Sequence, residues 1–151
     1  YTACYTLSLH DALPICSGSL RVEADDIIRF AQLYDPQPFH LDPELAAQTL
    51  FGGLAASGWH TAALTMRLLV DGEFMPAGGF IGAGIDEISW PIPVRPGDTL
   101  HVTSEILALR RSHTRPMQGV VKALTLTKNQ KGQTVQRAVV NLIVKARSAE
   151  T

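Results

Sequence analysis

A carboxylate and an imidazole lie close together in the first third of the chain. Asp35 and His40 are separated by four residues, two of which are Pro36 and Pro38. Because each proline fixes a φ angle, the loop between the two side chains is stiff. A carboxylate and an imidazole on a stiff loop can hold a water molecule between them, one taking its proton and the other returning a proton to the product. The pair is therefore a candidate for general acid–base catalysis.

A second candidate element opens the longest predicted helix. It reads Ser57-Gly58-Trp59-His60. A helix N-terminus has unpaired N–H groups and a partial positive charge, and Gly58 lets a substrate approach the backbone closely. Such a terminus can bind the carbonyl oxygen of a thioester. It can also stabilise the enolate that develops when water adds to a conjugated double bond.

Each of these features also has a purely structural interpretation. Asp35 and His40 would have the same spacing as a loop cap and a hydrogen-bonded histidine. Ser57 could be an ordinary helix cap, and His60 could contact substrate, cap or pack. A basic cluster either lies at a solvated strand end or binds the phosphates of coenzyme A. Its members are Arg110, Arg111, His113 and Arg115.

Short helices are predicted to carry the candidate residues. Asp25 or Asp26 caps a helix that must end before Pro36. Asp42-Pro43-Glu44 starts a second helix, with Asp42 as its cap. A third helix runs from Ser57 to about Val70 and is the longest clean helical period in the chain, so we expect its apolar face to be buried. That face consists of Trp59, Ala62, Ala63, Met66, Leu69 and Val70.

The second half of the chain has the period of two that is typical of strands. Alternation begins near Phe80 and is clear over Leu100–Ile106 and Ala138–Val144. Turns are predicted at Pro96-Gly97-Asp98 and at Asn129–Gly132. The order of elements predicts a single α+β domain, with about four long antiparallel strands wrapped round one helix.

Composition limits the classes of function. The chain has 151 residues, of which 46% are hydrophobic, and a formal charge of -1. A near-neutral chain has no basic field for phosphate backbones, so we expect no nucleic-acid partner. It has no apolar run of the roughly 18 residues that a membrane span needs, so we expect no membrane partner. Two cysteines, Cys4 and Cys16, cannot build a disulfide framework or a cysteine-rich metal site. We expect a cytoplasmic protein with no metal ion.

The N-terminal segment has an unusual sequence. Residues 6–15 read TLSLHDALPI, which is what translation of a common short-read sequencing adapter would give. We therefore expect residues 1–16 to be a non-native segment and residues 17–151 to form the domain. The alternative is a genuine N-terminal arm. The non-native interpretation predicts that Leu9 and Leu13 pack poorly.

Several motifs together resemble the MaoC-like dehydratases, also called (R)-specific enoyl-CoA hydratases. The family pattern Asp-x-Asn-Pro-x-His-x-Asp is matched in register by Asp35, Pro38, His40 and Asp42. Phe51-Gly52, the Ser57-Gly58 helix start and the Pro96-Gly97-Asp98 turn also fit. The resemblance covers roughly residues 20–147. The Asp-to-His segment is fairly specific, whereas many relatives share the Pro-Gly-Asp turn.

The resemblance implies a hot-dog fold and reversible addition of water to a trans-2-enoyl-CoA, giving an (R)-3-hydroxyacyl-CoA. Asp35 would activate the water, His40 would hold it and handle the proton, and the Gly58 N–H would bind the thioester oxygen. Ser57, Trp59 and Phe39 are further candidates for substrate contact. The substrate brings its own CoA, so no cofactor is implied. A homodimer is expected, with larger assemblies possible, because a single sheet would leave an edge open.

The sequence departs from the family pattern near the site. Gln37 replaces the usual Asn, Tyr34 a common Gly, and Ser57 and Trp59 stand where typical hydratases have His and Met. The acid–base pair is retained, but the pocket is changed. Trp59 and Phe39 either pack in the core or line the tunnel, and in the second case they would favour a short or branched acyl group. Two other functions remain open: a hot-dog acyl-CoA thioesterase, and a non-catalytic acyl-binding or subunit-interaction module.

Overall fold

Five strands form one antiparallel sheet in the part of the chain that the computed structural model describes, residues 14–146. Their order across the sheet is β1-β3-β4-β5-β2, so β1 and β2 are the two edges. The strands are β1 (Ile15–Arg21), β2 (Ile81–Ser89), β3 (Thr99–Arg111), β4 (Gln118–Lys128) and β5 (Thr134–Lys145).

Four helices lie between β1 and β2. They are α1 (Ala24–Tyr34), α2 (Pro38–Leu41), α3 (Pro43–Ala47) and α4 (Gly58–Asp71). The longest, α4, contacts β1, β3 and β5, so the sheet wraps round it. The core between them contains Leu68 and Leu69 of α4 together with Val102, Val121 and Leu142 of the sheet. The predicted α+β layout is therefore confirmed.

The described chain begins with strand β1, which was not predicted from the sequence and starts at Ile15. Its register places Ile15 opposite Ser104 and Cys16 opposite Thr103 of β3. The domain start at residue 17 stays a prediction. The prediction for Leu9 and Leu13 lies outside the described residues.

The predicted start of α1 was wrong. The N-cap is Glu23, which makes no side-chain cap bond, and Asp25 and Asp26 lie within the first turn. Their negative charges there interact favourably with the positive end of the helix. The end of α1 at Tyr34, before Pro36, is as predicted.

The buried face of α4 was also predicted wrongly. Of the six apolar residues expected to be buried only Leu69 is, and Trp59, Met66 and Val70 are 59%, 46% and 58% exposed. The helix instead turns a partly polar face to the sheet, consisting of His60, Thr61, Thr65, Leu68 and Leu69. This polar face has a hydrogen-bond partner in the sheet, because the hydroxyl groups of Thr65 and Thr127 are hydrogen-bonded at 2.7 Å. Within residues 14–146, an apolar stripe on α4, consisting of Trp59, Met66 and Val70, is consequently left exposed.

Polar side chains hold the turns that the sequence indicated. Asp42 caps α3 by accepting hydrogen bonds from the N–H groups of Glu44 and Leu45, at 2.8 and 3.1 Å. Asp98 accepts from the backbone N–H of Arg95 at 2.8 Å, next to Gly97 with its positive φ of 86°. The assignments of Asp42 as a cap and Asp98 as a turn residue are confirmed. The β4–β5 hairpin also turns at Asn129–Gly132 as predicted.

Candidate active site

Three helix ends bring the candidate residues together. Asp35 is the C-cap of α1, where its N–H donates to the carbonyl of Ala31. His40 lies on the single turn of α2, which starts with Pro38 at its first position, a position that suits the fixed φ of proline. Ser57 is the N-cap of α4. The predicted stiff loop between Asp35 and His40 thus includes a short helix, and the pair meets the start of α4.

The imidazole of His40 is held in one orientation. His40 is 5% exposed, and its Nδ1 lies 2.6 Å from the carbonyl oxygen of Ala55. Because a carbonyl only accepts, Nδ1 must carry a proton. In the neutral ring Nε2 then has a free lone pair, and it lies 3.4 Å from Oδ2 of Asp35. Two acceptors therefore face each other beyond normal hydrogen-bond distance, an arrangement that a water molecule donating to both would satisfy.

The carboxylate of Asp35 is held by two donors. The Ser57 hydroxyl donates to Oδ2 at 2.7 Å, and Nε2 of Gln37 donates to Oδ1 at 2.6 Å. Partial burial raises the pKa of Asp35, but the hydrogen bonds from Ser57 and Gln37, together with the positive charge that His40 has when it is protonated, bring the pKa below its ordinary value. Both bonds favour the ionised form. Asp35 is therefore charged and ready to accept a proton throughout the neutral range.

Loss of the Gln37 hydrogen bond should move the acid side of the pH–rate profile. Gln37→Ala removes a donor to the ionised form, so the pKa of Asp35 rises towards its ordinary value and the protonated, inactive form persists to higher pH. We expect the acid limb of kcat/KM to shift to higher pH, with little change near pH 8. Gln37 is exposed and caps no helix through its side chain. An unchanged limb would show that Gln37 does not tune Asp35.

An irregular segment beside His40 is tied to a distant loop. The N–H of Ala56 donates to the carbonyl of Val94 at 2.9 Å. The guanidinium of Arg95 donates to the carbonyls of Phe51, Gly53 and Leu54. Residues 51–56, which include the carbonyl that orients His40, are thus fixed by the connection between β2 and β3.

A cavity of about 270 Å³ opens next to His40. Gly58 is the first residue of α4, so its N–H lacks an acceptor within the helix. Trp90 covers Gly58 closely, because a Cβ atom at position 58 would lie 2.6 Å from the indole ring. The cavity combines an imidazole, a helix N-terminus and apolar walls. Its lining consists of His40, Phe51, Ala56, Gly58, Thr61, Trp90, Ile92, Pro93, Val94 and Val135.

The remaining predicted substrate contacts lie outside this lining. The Ser57 hydroxyl is used by Asp35 and by the N–H of Trp59. The indole of Trp59 packs edge-on against Trp90, with ring centroids 5.3 Å apart. Phe39 is half-buried and contacts the rings of His40 and Phe51. Of the site residues predicted from the sequence, His40 and Gly58 thus line the cavity, whereas Asp35, Ser57, Trp59 and Phe39 lie next to it.

Four residues of the site were not identified from the sequence: Phe51, Thr61, Trp90 and Arg95. Thr61 could have been found, because it lies one helical turn after Gly58. Phe51, Trp90 and Arg95 come from connections between elements, where no periodicity indicates direction.

His60 is buried beside the site but takes no part in the pair. Its ring stacks on Phe30 at a centroid distance of 4.7 Å, and its Nδ1 is buried without a hydrogen-bond partner. Burial lowers the pKa of His60; Asp26 opposes this shift and Arg29 adds to it. His60 is therefore a neutral packing residue, one of the alternatives that the sequence left open.

Other binding chemistries find no support in the described part of the chain. Within residues 14–146, no cluster of three or more His, Cys, Asp or Glu side chains is arranged to hold a metal ion. No helix in the same range is long and apolar enough to cross a membrane.

Comparison with known proteins agrees with this fold. Residues 8–129 match the MaoC-like domain family. The crystal structure of a MaoC-like dehydratase from Rhodospirillum rubrum superposes with a TM-score of 0.87 at 51% identity, over 94% of this chain and 95% of that one. The (R)-specific enoyl-CoA hydratase of Aeromonas caviae is 38% identical over 93 residues, covering 61% of this chain and 67% of the relative.

The chain belongs to the MaoC-like family and has its hot-dog fold. Within that family, it is 33% identical to the uncharacterized protein YdeM of Bacillus subtilis over 127 residues, covering 84% of this chain and 89% of the relative. The match to the (R)-specific enoyl-CoA hydratase covers a smaller share of this chain, 61%, than the match to YdeM does.

Proposed function

We propose that this protein is an enoyl-CoA hydratase that adds water reversibly to a trans-2-enoyl-CoA and gives the (R)-3-hydroxyacyl-CoA. The observation that carries the proposal is the Asp35–His40 pair. Its Oδ2 and Nε2 atoms lie 3.4 Å apart, with the Nδ1 side of the ring occupied by Ala55. Two acceptors aimed at one point bind and deprotonate water, which is the nucleophile of a hydration.

The reaction can be balanced with these groups. Water bound by Asp35 and His40 loses one proton to the pair as its oxygen bonds to the β carbon of the enoyl group. The electron pair of the double bond moves toward the thioester, whose oxygen is stabilised by the Gly58 N–H and the positive end of α4. The proton then passes from the Asp35–His40 pair to the α carbon, which regenerates both side chains. Addition occurs on one face because a single pair supplies both groups.

A thioesterase would use the same residues differently. Its water would attack the carbonyl carbon of the thioester and release free CoA, whereas hydration leaves the thioester intact. The similarity to an (R)-specific enoyl-CoA hydratase and to a MaoC-like dehydratase supports hydration. A non-catalytic acyl-binding module would not need an ionised carboxylate held by two donors.

Product analysis with crotonyl-CoA tests the proposal. We expect the enoyl absorbance to fall, no free thiol to appear, and chiral mass spectrometry to show (R)-3-hydroxybutyryl-CoA. Release of free CoA without hydration would favour the thioesterase. A series of enoyl-CoAs that all remain unchanged, although they bind, would favour the binding module.

We also propose that the protein is a homodimer that pairs through β2. This edge strand is nine residues long, and its first seven are exposed, including Ile81 and Ile85 at 49% and 57%. A long exposed edge with apolar side chains has unpaired N–H and C=O groups that a second strand can satisfy. The apolar stripe on α4 meets this edge, because its first member, Trp59, contacts Trp90 directly after β2.

A charge in the middle of β2 should disrupt this pairing. In light scattering we expect the wild type to have about twice the chain mass of 16.4 kDa. The Ile85→Lys variant should be mostly monomeric, because a symmetric edge would place lysines close together in both chains. Met117→Lys, at a site 59% exposed in the β3–β4 turn, is the matched control and should stay dimeric. A dimeric Ile85→Lys would exclude the β2 edge.

A further inference from the structure

The closest contact in the cavity wall is between Trp90 and the start of α4. A Cβ atom on residue 58 would lie 2.6, 2.8 and 2.9 Å from Cδ2, Cε2 and Cε3 of the indole. The middle of the indole therefore rests on the Cα atom of Gly58, without room for a side chain between them. A ligand whose thioester oxygen is bound by the Gly58 N–H must lie in contact with this ring.

A hydrogen bond to a buried acceptor holds the indole, which is 37% exposed, in that position. Nε1 of Trp90 donates to Oε1 of Gln136 at 2.8 Å, and Gln136 is 3% exposed. Rotation of the ring would leave the buried amide oxygen without this donor, which is unfavourable in an apolar surrounding. Because Gln136 lies on the interior strand β5 and Gly58 on α4, the ring is held between the sheet and the helix.

The space that remains is small. The cavity has a volume of about 270 Å³, just below the roughly 300–1,000 Å³ of pockets that enclose small-molecule ligands. His40 contributes its only ionisable side chain, and Phe51, Ile92 and Val135 are among its apolar walls. It suits an acyl group of a few carbons.

We propose that Trp90, fixed by Gln136, is a specificity-determining residue that limits this site to short acyl groups of about four to six carbons. The inference rests on the proposed hydratase function. It assigns the size limit to a residue of the β2–β3 connection and not to Trp59 or Phe39, which do not line the cavity.

The test is the ratio of kcat/KM for crotonyl-CoA and trans-2-octenoyl-CoA. We expect the wild type to favour the shorter substrate at least about tenfold, since one methylene in a hydrophobic pocket changes the rate about 10–200-fold. In Trp90→Ala the ratio should fall at least about tenfold, which reduces or reverses the preference. The ratio for Trp90→Phe should lie between those of the wild type and Trp90→Ala. Because the ratio does not depend on the fraction of folded enzyme, partial unfolding of a variant does not obscure it.

Two further variants distinguish the effect of the Trp90 ring from the effect of losing any apolar side chain. Gln136→Leu keeps the size of the side chain but removes the acceptor, so it should relax the preference partly. Met75→Ala removes an apolar side chain that is 85% exposed, and should leave the ratio unchanged. Equal wild-type activity on both substrates, or an unchanged ratio in Trp90→Ala, would overturn the proposal.

Binding measurements distinguish this failure from failure of the proposed function. Butyryl-CoA and octanoyl-CoA cannot be hydrated, so their dissociation constants report the cavity alone. One outcome is that the wild type hydrates no enoyl-CoA and still binds butyryl-CoA more tightly than octanoyl-CoA. If Trp90→Ala then removes that difference in affinity, the hydratase proposal is wrong and the role of Trp90 stands. If the wild type hydrates enoyl-CoAs without any chain-length preference, the hydratase proposal stands and the role of Trp90 is wrong.

Discussion

The Asp35→Asn variant should lose about 10²- to 10⁴-fold in kcat for the hydration of crotonyl-CoA, which is the usual contribution of a positioned acid–base group. Asparagine has nearly the shape of aspartate and keeps one oxygen, which can accept from Gln37, while its amide group can donate to the Ser57 hydroxyl that donates to the aspartate. Its amide cannot take a proton from water at neutral pH. KM should change little, because the thioester and acyl group are bound by other parts of the site. Steady-state kinetics measure both quantities.

Asp42→Asn is the matched control for this result. Asp42 caps α3 and has the same chemistry seven residues away, and asparagine is about as good a helix cap as aspartate. Its kcat should remain within about twofold of the wild type. Thermal melts of both variants check that the fold is retained. A fully folded Asp35→Asn enzyme with near-normal kcat would remove Asp35 from the mechanism.

The Gly58→Ala variant should lose both stability and activity, although the substitution raises the helix propensity of the residue. Alanine is favoured over glycine in helices by about 0.8–1.0 kcal/mol. Here the new methyl group would lie 2.6 Å from the Trp90 ring, which Gln136 holds in place. Overpacking of this kind costs about 1–3 kcal/mol. A displaced ring would also change the cavity wall, so we expect kcat/KM to fall at least about tenfold.

Urea unfolding and initial rates measure these effects. Gly18→Ala is the control, because a Cβ there meets nothing within 4 Å and its φ is not positive. We expect its free energy of unfolding to change by no more than about 0.5 kcal/mol. Adding Trp90→Leu to Gly58→Ala should recover part of the lost stability, which a double-mutant cycle would detect as coupling between the two sites. Purely additive effects would mean that the two residues do not meet.

The sequence predicted those parts of the site that are local in the chain. Asp35 and His40 were identified because two prolines make the segment between them stiff, and the start of α4 because serine and glycine mark a helix N-terminus. Strands β2 to β5 followed from their period of two, whereas β1 was not predicted. Their order could not be predicted, because pairing partners are separated by long stretches of chain.

The parts that sequence reasoning missed depend on contacts between distant segments. Trp90 meets Gly58 and Gln136 across 32 and 46 residues, and no local pattern contains that information. The orientation of α4 was mistaken for a different reason. Apolar periodicity shows which face avoids water, but not whether this chain's own sheet or another surface covers it. Here the sheet offers Thr127 to α4, and the more apolar stripe points away.

The hydrogen bonds of Arg95 suggest that residues 51–56 and the sheet differ in local stability. Residues 51–56 form no helix or strand, and much of their order comes from one guanidinium that reaches across more than forty residues to three carbonyls. Such a segment can open locally while the ladders of β3, β4 and β5 remain intact. The carbonyl that orients His40 would open with it. We therefore expect the Asp35–His40 pair to belong to a less stable cooperative unit than the sheet, and inactivation to precede global unfolding.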